Sequence, residues 1–177
     1  MKKILAFGAS SSRNSINKQL AKYASSQIKE AEITLLDLND FEMPIFSVDK
    51  EKADGIPEPA QVFKKHILEA DGILISFAEH NGSYSSIFKN TLDWTSRIEG
   101  KIWEGKSMFL MATSPGGRGG QTVLGAALGS FNHQGGKIVA SFSLPSFNQN
   151  FSAAEGILDT DLKEEFEKQS AIFTKSI

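Results

Sequence analysis

Ile4-Leu5-Ala6-Phe7 runs into Gly8-Ala9-Ser10-Ser11-Ser12-Arg13-Asn14-Ser15-Ile16-Asn17, and how this stretch reads decides the fold. The apolar run predicts a strand. Leu20-Ala21 and Tyr23-Ala24 then recur at helical spacing, so a helix follows a hydroxyl-rich turn. Such a turn brings backbone N–H groups, serine hydroxyls and the positive end of a helix dipole to one point. A phosphate group belongs there.

Outward from this stretch, apolar runs alternate with amphipathic ones. Strands are expected at Lys3–Phe7, Glu32–Leu38, Gly72–Phe77, Lys106–Thr113 and Lys137–Leu144. The third, Gly72-Ile-Leu-Ile-Ser-Phe77, lacks polar alternation until its end, the pattern of a strand buried on both faces. Helices are expected at Ile16–Ile28, Ala60–Glu69, Ser86–Ile98, Gln121–Asn132 and Asp159–Thr174. Phe41–Pro59, with Pro44, Gly55, Pro57 and Pro59, is expected to be an irregular connection. Five strands alternating with five helices imply an α/β three-layer sandwich with right-handed crossovers. The preferred topology is flavodoxin-like, a five-stranded parallel sheet of order 2-1-3-4-5. Its ligand site lies beyond the carboxyl ends of the strands, at the switch between the first and third.

Composition removes several classes of function. The 177 residues predict one domain, 1–177, with a real core. A formal charge of −2 and no basic run longer than two residues give no general attraction to nucleic acid. Cysteine is absent, which excludes disulfides, cysteine metal sites and thiol nucleophiles. The apolar run after Lys2-Lys3 is too short for a signal-peptide core, and no segment reaches membrane-spanning length. No membrane partner and a cytoplasmic location are the expectations. Thirteen phenylalanines predict either a ring-rich core or a ring-rich subunit interface.

The chemically unusual loops follow strands one, three and four, so a parallel sheet brings them to one rim. The second is Ala78-Glu79-His80-Asn81-Gly82-Ser83-Tyr84, and the third is Ser114-Pro115-Gly116-Gly117-Arg118-Gly119-Gly120. The first loop lacks the Lys of a Walker P-loop and the glycines of a dinucleotide fingerprint. What remains is a hydroxyl cradle of Ser10, Ser12 and Ser15, with the Asn17 amide and one charge-assisted bond from Arg13. That set holds a monophosphate without a metal. The plainer alternative is that Ser15 only caps the helix among solvated neighbours. In the second loop Asn81 and Gly82 offer hydrogen bonds to a heterocycle edge, while His80 and Tyr84 offer stacking. In the third, glycines let N–H groups approach a flat ligand, or form only a flexible turn. Metalloprotease, C-x-x-C and Gly-x-Ser-x-Gly patterns are absent.

With these loops in place, the chain resembles the NADPH-dependent FMN reductase family, flavodoxin-like flavoproteins that include quinone, azo-dye and chromate reductases. The resemblance spans nearly the whole chain. The family's Gly-Ser-x-Arg-x-x-Ser-x-Asn is matched by Ser10, Ser15 and Asn17, with Ser12 at the Arg position and Arg13 one place later. Its Pro-Glu-Tyr-Asn-Gly-Ser is matched by Glu79, Asn81, Gly82 and Ser83, with Ala78 for Pro and His80 for Tyr. Lys89-Asn90, Leu92-Asp93-Trp94 and the Ser114–Gly120 loop are similar to the family's later motifs.

The resemblance implies FMN as cofactor and NAD(P)H as co-substrate. Cofactor contacts are implied at Ser10, Ser12, Arg13, Ser15, Ile16 and Asn17, at Glu79, His80, Asn81, Gly82 and Ser83, and at Ser114, Gly116, Gly117 and Arg118. Arg118 either helps the loop's N–H groups at the flavin N1–O2 edge or points at the nicotinamide nucleotide's phosphates. It further implies hydride transfer to a small-molecule electron acceptor without a catalytic side chain. A homodimer or homotetramer is implied, in which a neighbouring subunit helps to cover the flavin. Two rivals share the fold, a flavodoxin-type electron carrier without NAD(P)H turnover and a flavin-free relative.

Overall fold

A computed structural model describes residues 1–177. Five parallel strands form the sheet: β1 (Lys2–Ala9), β2 (Ala31–Leu36), β3 (Gly72–Phe77), β4 (Ser107–Thr113) and β5 (Lys137–Leu144). Their order is β2-β1-β3-β4-β5, the flavodoxin-like arrangement expected. Every residue of β3 and β4 is buried, as their unbroken apolar runs require for strands covered on both faces. β2, at the edge, alternates half-buried and exposed positions until the buried Leu36. It stops short of the expected end because the Asp37 carboxylate accepts the Asn39 N–H at 3.0 Å and starts a 3-10 turn, Leu38–Phe41.

Seven helices accompany the sheet: α1 (Ile16–Ser26), α2 (Val48–Asp54), α3 (Glu58–Glu69), α4 (Ser86–Thr95), α5 (Gln121–Ser130), α6 (Phe147–Asn150) and α7 (Thr160–Ser176). α1 and α7 pack on one face, while α3, α4 and α5 pack on the other. Phe7, Phe63, Phe77, Phe88 and Phe131 fill the second face; Phe109, Phe142, Phe166 and Phe173 fill the first. Twelve of the thirteen phenylalanines are buried, so the rings belong to the core and not to a subunit interface. Each such ring contributes about 1.5–3 kcal/mol of burial.

The segment expected to be irregular contains α2. Ser47 caps it, accepting the Lys50 N–H at 3.2 Å, Asp49 and Glu51 stand in its first turn, and Gly55 at φ 77° ends it. Just upstream, residues 43–46 are strapped to α4. Asn90 accepts the Phe46 N–H at 2.8 Å and donates to the carbonyls of Met43 at 3.2 Å and Pro44 at 3.1 Å. The Trp94 indole donates to the Pro44 carbonyl at 2.7 Å. An i, i+4 spacing puts both side chains on one helix face. The Asn90…Trp94 motif therefore has a structural use: it fixes the strap.

Candidate functional site

Residues 10–15 carry the chain from β1 to α1. Ser10 is buried, and its hydroxyl oxygen accepts the Ser12 N–H at 3.1 Å. Ser15 caps α1 by accepting the Lys18 N–H at 3.2 Å, which leaves its own hydroxyl proton free to donate. Gly8 lies under the first turn. A Cβ there would stand 2.4 Å from the Lys18 nitrogen and 2.7 Å from the Lys18 Cα, so only glycine lets the helix start settle onto the strand end. The N–H groups of Ile16 and Asn17, at the start of the helix, have no acceptor one turn back and face the Ser-rich turn.

Asn17 is almost fully buried. Its Nδ2 donates to the Thr113 carbonyl at 3.1 Å; its Oδ1 accepts the Thr113 N–H at 3.1 Å and the Ser76 hydroxyl at 2.7 Å. The amide thus pairs with the end of β4 as a neighbouring strand would, and ties α1 to β3 and β4. One Nδ2 proton is left for a ligand.

After β3, Glu79–His80 pairs antiparallel with Ser83–Tyr84. Asn81 at φ 51° and Gly82 at φ 72° make the two-residue turn between them. Asn-Gly with both residues at positive φ marks a type I′ hairpin, a signal carried by the sequence but read there as ligand contacts. The Glu79 Oε2 accepts the Val123 N–H at 3.0 Å, so this carboxylate caps the start of α5. His80 is exposed.

Tyr84, expected to offer a stacking face, turns inward instead. Its ring packs on Phe77 and Phe88 with centroids 5.7 and 5.3 Å apart, because an apolar body of this size gains more in the ring cluster than at the rim. Its phenol oxygen is buried without a well-formed hydrogen bond; the nearby Ser130 hydroxyl gives its own proton to the Ala126 carbonyl at 2.8 Å. Burial pushes the phenol above its ordinary pKa. Tyr84→Phe is expected to leave stability unchanged or raise it by up to about 1 kcal/mol in urea unfolding. A loss larger than that means the hydroxyl has a partner.

β4 leads into Ser114–Gly120. Gly119 and Gly120 take left-handed backbone, and a Cβ on Gly119 would stand 2.4 Å from the Ser143 hydroxyl oxygen. The Gly116 carbonyl accepts the N–H groups of Gly119 at 3.2 Å and Ser146 at 3.0 Å, which moors the loop to the segment after β5. By contrast, Gly117 has open space around it, and no protein acceptor meets the N–H groups of Gly116, Gly117 or Arg118. Arg118, in the loop before α5, donates to the Thr122 hydroxyl in the first turn of that helix at 2.8 Å.

The three turns meet at one cavity of about 310 Å³. Ser10, Ser12, Ser15, Ile16 and Asn17 line it from the first turn, Glu79 and His80 from the second, and Ser114 from the third. Asn14, Ala78, Thr113 and Pro115, not singled out in sequence, join them. Ala78 opens the second loop as read in the sequence, and Thr113 is the last residue of β4, so only the third loop needed extending back to its strand. Asn81, Gly82, Ser83, Gly116, Gly117 and Arg118 stay outside the wall. So does Arg13, which turns toward β2 into a separate depression with Lys18, Gln19 and Lys22. No lysine or arginine lines the cavity; beside the Glu79 carboxylate, which is engaged by the Val123 N–H, an anion in it meets hydroxyls, asparagine amides and the positive end of α1.

The strand order and the rim cavity at the β1/β3 switch point define a flavodoxin-like α/β protein. Its residues 2–149 match the family model for NADPH-dependent FMN reductase. The chain belongs to that family. It is 36% identical over 118 residues to a 2-hydroxy-1,4-benzoquinone reductase of Burkholderia sp., a match covering 66% of this chain and 63% of that protein. An NADPH:quinone oxidoreductase of Arabidopsis thaliana is 31% identical over 124 residues, 68% of this chain and 62% of that one. The chain therefore spans about six tenths of the length of these curated relatives. Among solved structures, a flavoenzyme NAD(P)H:(acceptor) oxidoreductase from Paracoccus denitrificans shares the fold with a TM-score of 0.80. That comparison covers 99% of this chain and 96% of that one at 24% identity. No helix is long and apolar enough to cross a membrane.

Proposed function

We propose that the protein is an FMN-dependent NAD(P)H oxidoreductase built as one flavodoxin-like domain, reducing quinones, flavins or similar small acceptors. The observation that carries this reading is the convergence of three chemically distinct turns on one cavity. The residues fit the cofactor. Ser10, Ser12 and Ser15 hydroxyls with the N–H groups of Ile16 and Asn17 make a donor set for a phosphate monoester, reinforced by the start of α1. Gly8 brings that helix start within reach. The rim between His80 and Ser114–Pro115 is assigned to the flat ring, and the unused N–H groups of Gly116, Gly117 and Arg118 to its N1–O2 edge.

FMN held by Ser10, Ser12, Ser15 and the start of α1 would supply hydride chemistry between a reduced nicotinamide and the acceptor. The protein positions and stabilises. N–H groups aimed at the N1–O2 edge favour negative charge there at no cost of reorganisation. Glu79 acts at one remove, by fixing the hairpin to α5. The names of the two quinone-reducing relatives support a quinone acceptor. The reading includes a cytoplasmic homodimer or homotetramer whose second subunit helps to cover the ring.

Mixing FMN-loaded protein with NADPH and a benzoquinone tests the activity. The expected result is one hydroquinone formed per NADPH consumed. Bound flavin without NADPH consumption would instead mark an electron carrier, and failure to take up FMN would mark a flavin-free relative.

A further inference from the structure

The hairpin after β3 divides its side chains between two faces. Glu79 pairs with Tyr84 and His80 with Ser83, and successive side chains of a strand point to opposite sides. The first pair is anchored. The Glu79 carboxylate accepts the Val123 N–H at 3.0 Å, and the Tyr84 ring packs on Phe77 and Phe88. His80 and Ser83 are thereby turned to the opposite, exposed face. The tight turn at Asn81-Gly82 fixes this register, so backbone pairing holds His80 at the cavity edge. Its imidazole takes part in no ion pair.

Charged neighbours are few. Glu79 and His80 are the ionisable side chains that line the cavity. Glu79 is occupied by the start of α5, and Arg118 is held on the Thr122 hydroxyl at 2.8 Å. Arg13 and Lys18 face the separate depression beside α1. The first turn adds only neutral hydroxyls and amides. Histidine is the side chain suited to gaining and losing a proton near neutral pH. The reductase family's motif has Tyr at this position, and a phenol is a far weaker acid.

Quinone reduction calls for a proton as well as a hydride. The hydride brings two electrons and one hydrogen, and leaves negative charge on an oxygen. The second hydrogen must arrive as a proton to give the neutral hydroquinone. We propose that His80 is the general acid of the acceptor step: its imidazolium gives a proton to the quinone oxygen as hydride arrives, and the neutral imidazole recovers one from water. The exposed face of the hairpin opens that return path. The inference rests on the reductase reading, which brings hydride and a quinone to the His80 end of the cavity.

Stopped-flow reoxidation of the reduced, FMN-loaded protein by 1,4-benzoquinone, from about pH 5 to about pH 9, tests it. The parent rate is expected to fall as pH rises and the imidazolium is lost. His80→Gln should lower the rate at acidic pH at least about tenfold and remove that pH dependence. Imidazole added to His80→Gly should restore part of the rate. Ferricyanide takes an electron and no proton, so the ratio of quinone to ferricyanide rates falls in His80→Gln. If His80 only packs on the ring, both acceptors slow alike; an unchanged ratio would overturn the proposal. A second readout needs no turnover. 4-Nitrophenolate added to the oxidised, FMN-loaded protein should move the His80 resonances in NMR and raise their titration midpoint, as an anion beside an imidazolium does. The chain has three histidines, and His80→Gln assigns the signal. A His80 signal that ignores the phenolate counts against the proposal. Reduction by dithionite in place of NADPH separates the two readings. Protein that takes up no FMN, or that NADPH does not reduce, refutes the reductase reading. Dithionite-reduced protein whose rate ratio ignores His80 refutes this inference alone.

Discussion

Asn17→Ala is expected to lower stability by about 3–6 kcal/mol and to abolish FMN retention. The substitution orphans three groups at once: the N–H and carbonyl of Thr113 and the hydroxyl of Ser76. Each buried group left unpaired costs about 1–3 kcal/mol, and Thr113 borders the cavity, so water recovers part of the loss. Against a typical margin of about 5–15 kcal/mol this is a large fraction. Ser76→Ala keeps the test open if the first variant does not fold. It removes one bond to the Asn17 Oδ1 while leaving both bonds to Thr113, and should cost about 1 kcal/mol. Urea unfolding of the pair decides the point. If Asn17→Ala loses no more than Ser76→Ala, the amide is not the clamp between α1, β3 and β4.

Gly8→Ala is expected to cost about 3 kcal/mol and to weaken FMN binding by tenfold or more. The added carbon would meet backbone, at 2.4 Å from the Lys18 nitrogen and 2.8 Å from the Asn17 carbonyl carbon. Backbone atoms of a packed helix have no rotamer to escape into, so α1 must lift away from β1. The N–H groups of Ile16 and Asn17 then recede from the turn. Ser12→Ala supplies the contrast: Ser12 is exposed, so its loss should weaken FMN binding and leave stability within about 0.5 kcal/mol. Fluorescence titration with FMN and thermal unfolding read both effects. Parent-like affinity and Tm in Gly8→Ala would mean that the close contact does not govern the site.

Much of this architecture is written locally in the chain. The unbroken apolar run of β3 marked it as a strand buried on both faces, and the position of three odd loops after β1, β3 and β4 placed the cavity. α2 was also legible, through Ser47 and the acidic first turn, but Pro44, Gly55, Pro57 and Pro59 around it pointed to an irregular stretch. Other features rest on partners far away in sequence. Asn17 meets Thr113 across 96 positions, and Glu79 meets Val123 across 44. Neither partner can be named from spacing. The direction of a side chain at a turn is equally hidden. Arg13 leaves the cavity because the path of residues 10–15 turns it toward β2, and Tyr84 goes inward because Phe77 and Phe88 wait there. A motif can place a residue on the right loop without fixing which way it faces.

The most direct test of the central claim is anaerobic mixing of the FMN-loaded protein with one equivalent of NADPH, followed by visible absorbance. The account predicts stoichiometric flavin that bleaches without any other acceptor and recovers its yellow colour when a quinone is added. Flavin that stays oxidised in the presence of NADPH would contradict it.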